Sequence, residues 1–253
     1  MKSMVKNKSS IDKMRIAGHL LAEIMEKIRE RVVVGISTLD LDGFIEENMH
    51  AVGLKPVCKG YAGYRHASCI SLNDVVVHGI PSKEIILKSG DFVKIDVVGS
   101  YKNYCADLAR YYFVGEVAPV AYHMANVAQK ALDDAIAIVK PGIRLSDISA
   151  LIQKRVEEEG YGIVRDFAGH GIGKTIHEEP QIPNYGSPGE GVVLLEGMTL
   201  AIEPMITERS YKVRVMNDGW TAKTIDGGLA AHVEDTIVVI KDGAEILTRL
   251  SNA

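Results

Sequence analysis

A repeat constrains most strongly what this chain can fold into. Gly35-Ile36 and Asp40 recur as Gly142-Ile143 and Asp147, a constant offset of 107 residues. At the same offset Phe44 meets Leu151, Ile45 meets Ile152 and Gly53 meets Gly160. Helical spacing surrounds both copies. Ile11, Met14, Leu21, Ile24, Ile28 and Val32 predict an amphipathic helix that Ser9 or Ser10 caps and Gly35 ends. Thr38 opens a second, carrying Leu41, Phe44, Ile45, Met49 and Val52, with a stop at Gly53. The periodicity returns over Pro119–Lys140 and Ser146–Gly160. β-rich sequence follows each copy. Pro56–Val114 contains strands at Val75–Val77 and Phe92–Val98, and the stretch from Gly162 on contains strands at Thr199–Ile202 and Val233–Ile240. Two amphipathic helix pairs can look alike by chance. If the copies are homologous, two α+β halves joined near Gly115–Pro119 pack about a pseudo-two-fold axis and leave a cleft at their seam. No linker or low-complexity segment divides them, so one compact unit over residues 1–253 is expected, with halves of about 1–117 and 118–253.

Composition narrows the function. The chain is 47% apolar with a net charge of −4, too apolar for disorder and without the basic excess that direct nucleic-acid binding would want. No apolar run approaches the ~20 residues of a membrane span. The start, Met1-Lys2-Ser3-Met4-Val5-Lys6, lacks the apolar stretch of an export signal. Three cysteines, Cys58, Cys69 and Cys105, make no disulfide framework and point to a reducing cytoplasm.

The candidate chemistry lies in acids that interrupt apolar strands. Asp96 sits in Ile95-Asp96-Val97 and Asp107 in Ala106-Asp107-Leu108. A hairpin turn over Gly99-Ser100-Tyr101-Lys102-Asn103 would set the two opposite each other on neighbouring strands. Carboxylates that close repel, so either one holds a proton or a cation binds both; a half-exposed hairpin with solvated acids is the plainer alternative. Glu203 closes Leu200-Ala201-Ile202 ahead of Pro204, and Glu234 interrupts Ala231–Val239. Phe167-Ala168-Gly169-His170-Gly171-Ile172-Gly173 sets an imidazole among glycines that would let backbone and ligand approach closely, and His177 follows. That loop matches neither common phosphate-cradling pattern. Asp96, Asp107, His170, Glu203 and Glu234 together offer four carboxylates and one imidazole. Such a set suits Mn, Fe(II), Co or Zn, and two ions better than one, because four negative charges need neutralising.

These residues, in this order, resemble the type I methionine aminopeptidases, over essentially the whole chain to Ile246-Leu247-Thr248. The most specific stretches are Ser71-Leu72-Asn73-Asp74-Val75-Val76-Val77-His78-Gly79-Ile80-Pro81, Gly169–Gly173, His177-Glu178-Glu179-Pro180 and Asp218-Gly219-Trp220-Thr221. The resemblance implies a single catalytic domain of the α/β (α+β) "pita-bread" fold, two helix-pair plus antiparallel-sheet halves around a central metal cleft. It implies hydrolysis of the initiator Met from nascent proteins and peptides with a small second residue. A water or hydroxide bridging two divalent ions per subunit (Co, Mn, Fe or Zn) would attack. Asp96 would bind one ion bidentately, Asp107 and Glu234 would bridge both, and His170 and Glu203 would complete the other shell. Glu203 would also shuttle the proton, while His78 and His177 hold the substrate amide and the tetrahedral intermediate. The methionine pocket falls on Cys58, Tyr61, Tyr64, Cys69, Ile176 and Trp220, whose aromatic edges and thiols suit a flexible, polarizable side chain. Nascent polypeptide N-termini are the implied partners, with ribosome contact a further expectation, and a cytoplasmic monomer is the family's default.

Some positions depart from the family pattern. Asn103–Leu108 lacks glycines frequent in relatives, and Ile176 stands where an aromatic is common. His232 and Asp235 flank Glu234 where Gln and His are usual, a change expected to shift metal affinity or pH dependence. Only 25 residues separate His177 from Glu203, too few for the type II helical insertion, and no N-terminal extension is expected. Three rivals stand beside this reading. Cys58, His66, Cys69 and His78 could hold a structural zinc, though without a C-x₂₋₄-C knuckle. A proline-directed aminopeptidase would share the fold but usually adds an N-terminal domain. A non-catalytic binding protein on this scaffold would typically have lost metal ligands.

Overall fold

In a computed structural model that describes residues 4–250, the architecture follows the repeat. The first half runs α1 (Lys8–Arg29), α2 (Thr38–Ala51), β1 (Lys55–Pro56), β2 (Ser68–Leu72), β3 (Val75–Val77), β4 (Phe92–Tyr101) and β5 (Tyr104–Phe113). The second begins with α3 (Pro119–Ala137), α4 (Leu145–Glu158), β6 (Gly162–Ile163), β7 (Ala168–Gly171), β8 (Glu178–Pro183) and β9 (Thr199–Ile202). It closes with β10 (Met205–Thr207), β11 (Val213–Val215), β12 (Ala222–Thr224), β13 (Ala230–His232), β14 (Glu234–Ile240) and β15 (Gly243–Ile246).

Asn7, rather than Ser9 or Ser10, caps α1, its side-chain oxygen accepting from the Ser10 amide at 2.9 Å. The helix stops at Arg29, short of the expected end at Gly35. The β-branched run Val32-Val33-Val34 disfavours helix, and the Gly35 amide crosses to the Leu87 carbonyl at 2.9 Å. Ser37 caps α2 by accepting from the Asp40 amide at 3.0 Å.

The 107-residue offset holds in backbone bonding as well as in letters. The Gly35 amide donates to Leu87 and the Leu87 amide to Ile36; correspondingly Gly142 donates to Leu194 and Leu194 to Ile143. The Thr38–Ile85 bond recurs as Leu145–Val192, and the bridge Ser37–Ile86 as Arg144–Val193. Helix pairs alike only in apolar spacing would not share such bonds, so the halves share one architecture. On the return strands the offset becomes 125, because the second half carries the extra strands β11 and β12. The Gly90–Val114 bond recurs as Gly197–Val239, and the pair Val98–Asp107 recurs as Met205–His232.

One nine-stranded antiparallel sheet crosses both halves in the order β1-β4-β5-β14-β9-β7-β8, with β2 also on β4 and β15 on β14. The seam is β5 against β14, where Ala109 faces Glu234 and Leu108 faces Asp235. Leu21, Ile24, Ile28, Leu41 and Ile45 of α1 and α2 pack on Val93, Ile95 and Val97 of β4. In the same way Met124, Leu132, Ile148 and Ile152 of α3 and α4 share a core with Leu200, Ile202 and Ile237. Two three-stranded sheets, β13-β10-β6 and β11-β12-β3, complete the fold. This is the expected pseudo-two-fold, pita-bread arrangement. Among the described residues, no helix is long and apolar enough to cross a membrane.

The β4–β5 hairpin is tighter than the sequence suggested. Its turn is Lys102-Asn103 alone, both at positive φ (48° and 65°), and the strands continue up to it on either side. Asp96 therefore faces Ala109 and Asp107 faces Val98. The two acids are diagonal neighbours on one face of the sheet, not direct partners.

Candidate metal centre

Asp107, His170 and Glu234 bring ligand atoms within 4.8 Å of one another at the seam, and Glu203, His232 and Glu234 do the same. Backbone clamps fix the first group. The Asp107 amide donates to the Thr236 hydroxyl at 2.9 Å, which donates back to the Asp107 carbonyl at 2.8 Å. His170 Nδ1 lies 3.0 Å from the Gly171 carbonyl. A carbonyl can only accept, so Nδ1 carries the proton and the Nε2 lone pair faces Asp107 (3.8 Å) and Glu203 (3.6 Å). Asn184 holds the Glu203 backbone, its amide nitrogen donating to the carbonyl at 3.0 Å.

The glycines around His170 serve neighbouring strands rather than a ligand. A Cβ on Gly169 would meet the Ala201 carbonyl at 2.5 Å and the Glu203 side chain at 3.5 Å, and one on Gly171 would collide with the Glu179 carbonyl. Close strand approach is what lets His170 and Glu203 share one space.

Without a countercharge the cluster is electrostatically unfavourable. Two ionised carboxylates about 4.8 Å apart repel by roughly 3–4 kcal/mol at an effective dielectric of 20. Burial raises Asp96 to about 6 and Glu203 to about 8. Burial, then the neighbouring carboxylates, pushes Asp107 and Glu234 well above the usual range. Burial also lowers His78 and His170 to about 4 and shifts His177 downward, so all three are neutral at pH 7. Asp107 Oδ1, Glu234 Oε1 and His232 Nε2 are buried without a hydrogen-bond partner. Orphaned donors, mutual repulsion and an oxygen-rich set all fit divalent cations.

Beside the cluster opens a cavity of about 230 Å³ lined by Cys58, Tyr61, Tyr64, Cys69, Ile176 and Trp220, with Asp96, Asp107, Glu203 and Glu234 at its polar end. Tyr64 meets Trp220 edge-on at 4.9 Å, and its hydroxyl donates to the Ser68 carbonyl at 2.9 Å. Asp218 accepts from the Trp220 and Thr221 amides at 2.9 and 2.8 Å, fixing the Trp220 loop. His78, at φ 58°, stands edge-on to Trp220 and Phe167. Tyr61 Oη lies 2.8 Å from His177 Nδ1. A larger open basin of about 680 Å³ adjoins through His78, His170, His177 and Glu203 and runs out past Gln181 and Tyr185.

Residues 12–241 match metallopeptidase family M24. A methionine aminopeptidase of Escherichia coli (strain K12) is 45% identical over 96% of this chain and 93% of its own. One from Clostridium acetobutylicum is 41% identical over 97% and 98%. The crystal structure of the Thermotoga maritima methionine aminopeptidase superposes with a TM-score of 0.96 at 46% identity, covering 97% of this chain and 99% of that one. The chain belongs to the methionine aminopeptidases. A prolidase from Pyrococcus furiosus, 23% identical with a TM-score of 0.81, shares the fold over 98% of this chain and 66% of its own.

In this methionine aminopeptidase every residue expected from the sequence stands at the cluster or its adjoining cavities. The rival zinc set does not converge: His66 instead lies 3.1 Å from the Asp42 carboxylate. Asp235 is engaged by Arg110 (2.7 Å), Arg249 (2.7 Å) and the Thr248 hydroxyl (2.8 Å). The sequence marks His232 only as a flanking departure, yet it faces the cluster. The available signal was its spacing: two residues before Glu234, on a strand, it shares that residue's face.

Proposed function

We propose that this methionine aminopeptidase removes the initiator Met from nascent proteins and peptides whose second residue is small. It would act as a single catalytic unit and a cytoplasmic monomer, meeting its substrates at or near the ribosome. Two divalent ions (Co, Mn, Fe or Zn) would be held by Asp96, Asp107, His170, Glu203 and Glu234. The observation that carries the reading is the apolar, sulfur-lined pocket opening directly onto the buried carboxylates.

The Met side chain fills the pocket between the Tyr64 and Trp220 edges, with the Cys58 and Cys69 thiols against its sulfur. The acidic cluster attracts the substrate's terminal ammonium. A pocket of about 230 Å³ has room for one side chain, not for chain running on both sides of it, which makes the enzyme an exopeptidase. When bound, the divalent ions supply Lewis acidity, lowering the pKa of a water and polarising the scissile carbonyl. Glu203 takes that water's proton and passes it to the leaving amine. With the Tyr61 hydroxyl, 2.8 Å away, donating to Nδ1 of His177, Nε2–H would be left to donate to the substrate. His78, also neutral, holds the substrate amide. The rest of the peptide leaves through the open basin.

The test is Met release from Met-Ala-Ser by chelator-stripped protein titrated with Mn, Fe(II), Co or Zn, beside Met-Leu-Ser and a Xaa-Pro panel. Metal-restored cleavage of Met-Ala-Ser alone is expected. Preference for Xaa-Pro peptides would overturn the substrate, and no cleavage with any metal would overturn the reaction.

A further inference from the structure

Beyond the five ligands already proposed, the fold places a sixth donor in the cluster. The β9–β10 segment and the β13–β14 segment keep one register across Pro204: Ile202 faces Asp235, Met205 faces His232, and the Val233 amide reaches the Pro204 carbonyl. Glu203 therefore faces Glu234, and His232 lies two residues from Glu234 on the same face. In the other half Asp96 faces Ala109, with Asp107 two residues away. His232 thus stands to Glu203 as Asp107 stands to Asp96: it fills the position that holds a proposed metal ligand in the first half.

The local geometry agrees. His232 is 1% exposed, and its Nε2 has no hydrogen-bond partner. That nitrogen approaches Glu203 Oε2 to 3.3 Å without hydrogen-bond alignment, and shares a 4.8 Å donor group with Glu203 and Glu234. A buried ring nitrogen with no partner, aimed among carboxylates, is what a ligand without its ion looks like.

We propose that His232 is a metal ligand, a second imidazole that faces the Glu203 and Glu234 carboxylates as His170 faces Asp107 and Glu203. This rests on the two-ion reading above. Its consequence is selectivity: added imidazole favours Zn, Co and Ni over Mn, which prefers oxygen.

The experiment is proton NMR of ¹⁵N-histidine-labelled, Co(II)-loaded protein, together with calorimetric titration of the stripped protein with Zn(II) and Mn(II). Two hyperfine-shifted imidazole N–H signals are expected in the wild type. His232→Gln should lose one of them and weaken Zn(II) binding by roughly tenfold or more while changing Mn(II) binding less. His232→Asn serves if the first variant does not fold. One shifted signal in the wild type, two retained in a folded variant, or unchanged Zn(II) affinity overturns the proposal. No shifted signal at all would instead defeat the metal-centre reading itself, so the two failures are distinguishable, and the wild-type spectrum needs no variant.

Discussion

Glu234 pairs across the seam with Ala109, the residue that occupies its own position in the other half. The correspondence follows from the 125-residue offset of the return strands, which also matches Asp107 with His232. A residue that faces its own counterpart lies at the pseudo-two-fold axis. That explains why Glu234 alone belongs to both donor groups, with Asp107 and His170 on one side and Glu203 and His232 on the other. Asp96 and Glu203 are likewise counterparts, at the 107-residue offset of the outgoing strands. The repeat thus supplies paired acids symmetrically, and a single side chain on the axis links them.

Replacing Glu203 by Gln keeps the shape and removes the proton acceptor. Turnover of Met-Ala-Ser should fall by roughly 10²–10⁴-fold, with unchanged circular dichroism. Unfolding of the chelator-stripped protein at pH 7 should come no earlier than in the stripped wild type, since a carboxyl that burial raises to about 8 contributes no stabilising charge there. A Glu203→Gln variant with normal kcat would sink the proton-shuttle role.

Much of this was legible in the sequence because buried acids interrupting apolar strands are costly and conspicuous. Asp96, Asp107 and Glu234 stood out for that reason, and the helix pairs through their spacing. Register was not legible. Lys102-Asn103 does not advertise a two-residue turn as Asn-Gly would, so Asp96 and Asp107 were expected opposite each other and lie diagonally. The inward aim of His232 depends on a register carried past Pro204, which only the assembled sheet fixes. The glycines beside His170 suggested a ligand, whereas they admit the strands carrying Ala201 and Glu179.

Metal binding should release protons. Asp107 and Glu234 are pushed well up and Glu203 to about 8, so at pH 7 the metal-free cluster holds protons that ionised ligands cannot keep. Titration of stripped protein with Zn(II) in buffers of different ionisation enthalpy should show release of at least about one proton at pH 7. Apparent affinity should rise with pH from 7 through about 8, as the ligand carboxyls lose their protons. Buffer-independent heats would contradict this.

Tyr61→Phe removes the hydroxyl that stands 2.8 Å from His177 Nδ1, at a side chain exposed enough to leave stability unchanged. One hydrogen bond of about 1 kcal/mol corresponds to roughly a fivefold loss in kcat/KM. His177→Ala should lose considerably more, because the donor itself is gone. Parallel Michaelis curves decide it: equal losses in the two variants would mean that Tyr61 acts otherwise than through His177.

Lys94 is fully buried in β4, its ammonium donating to the Asn73 carbonyl at 3.0 Å and lying 5.0 Å from the centre of the Phe92 ring. Burial outweighs the attraction of Asp74 and Asp91 and brings its pKa down to about 7 from 10.5. Between those values the unfolded chain binds the extra proton, so this group's contribution to stability rises with pH from about 7 to 10.5. Below about 7 both states are protonated and the whole penalty of burying the cation is present. Lys94→Met keeps the length and removes the charge, and the Asn73 carbonyl still accepts from the Ala230 amide at 2.9 Å. The variant should be more stable than the wild type at pH 6.5, by on the order of a few kcal/mol, and the advantage should shrink steadily toward pH 10. Urea midpoints of both proteins across that range measure it. An advantage that does not change with pH would mean that Lys94 is not the group responsible.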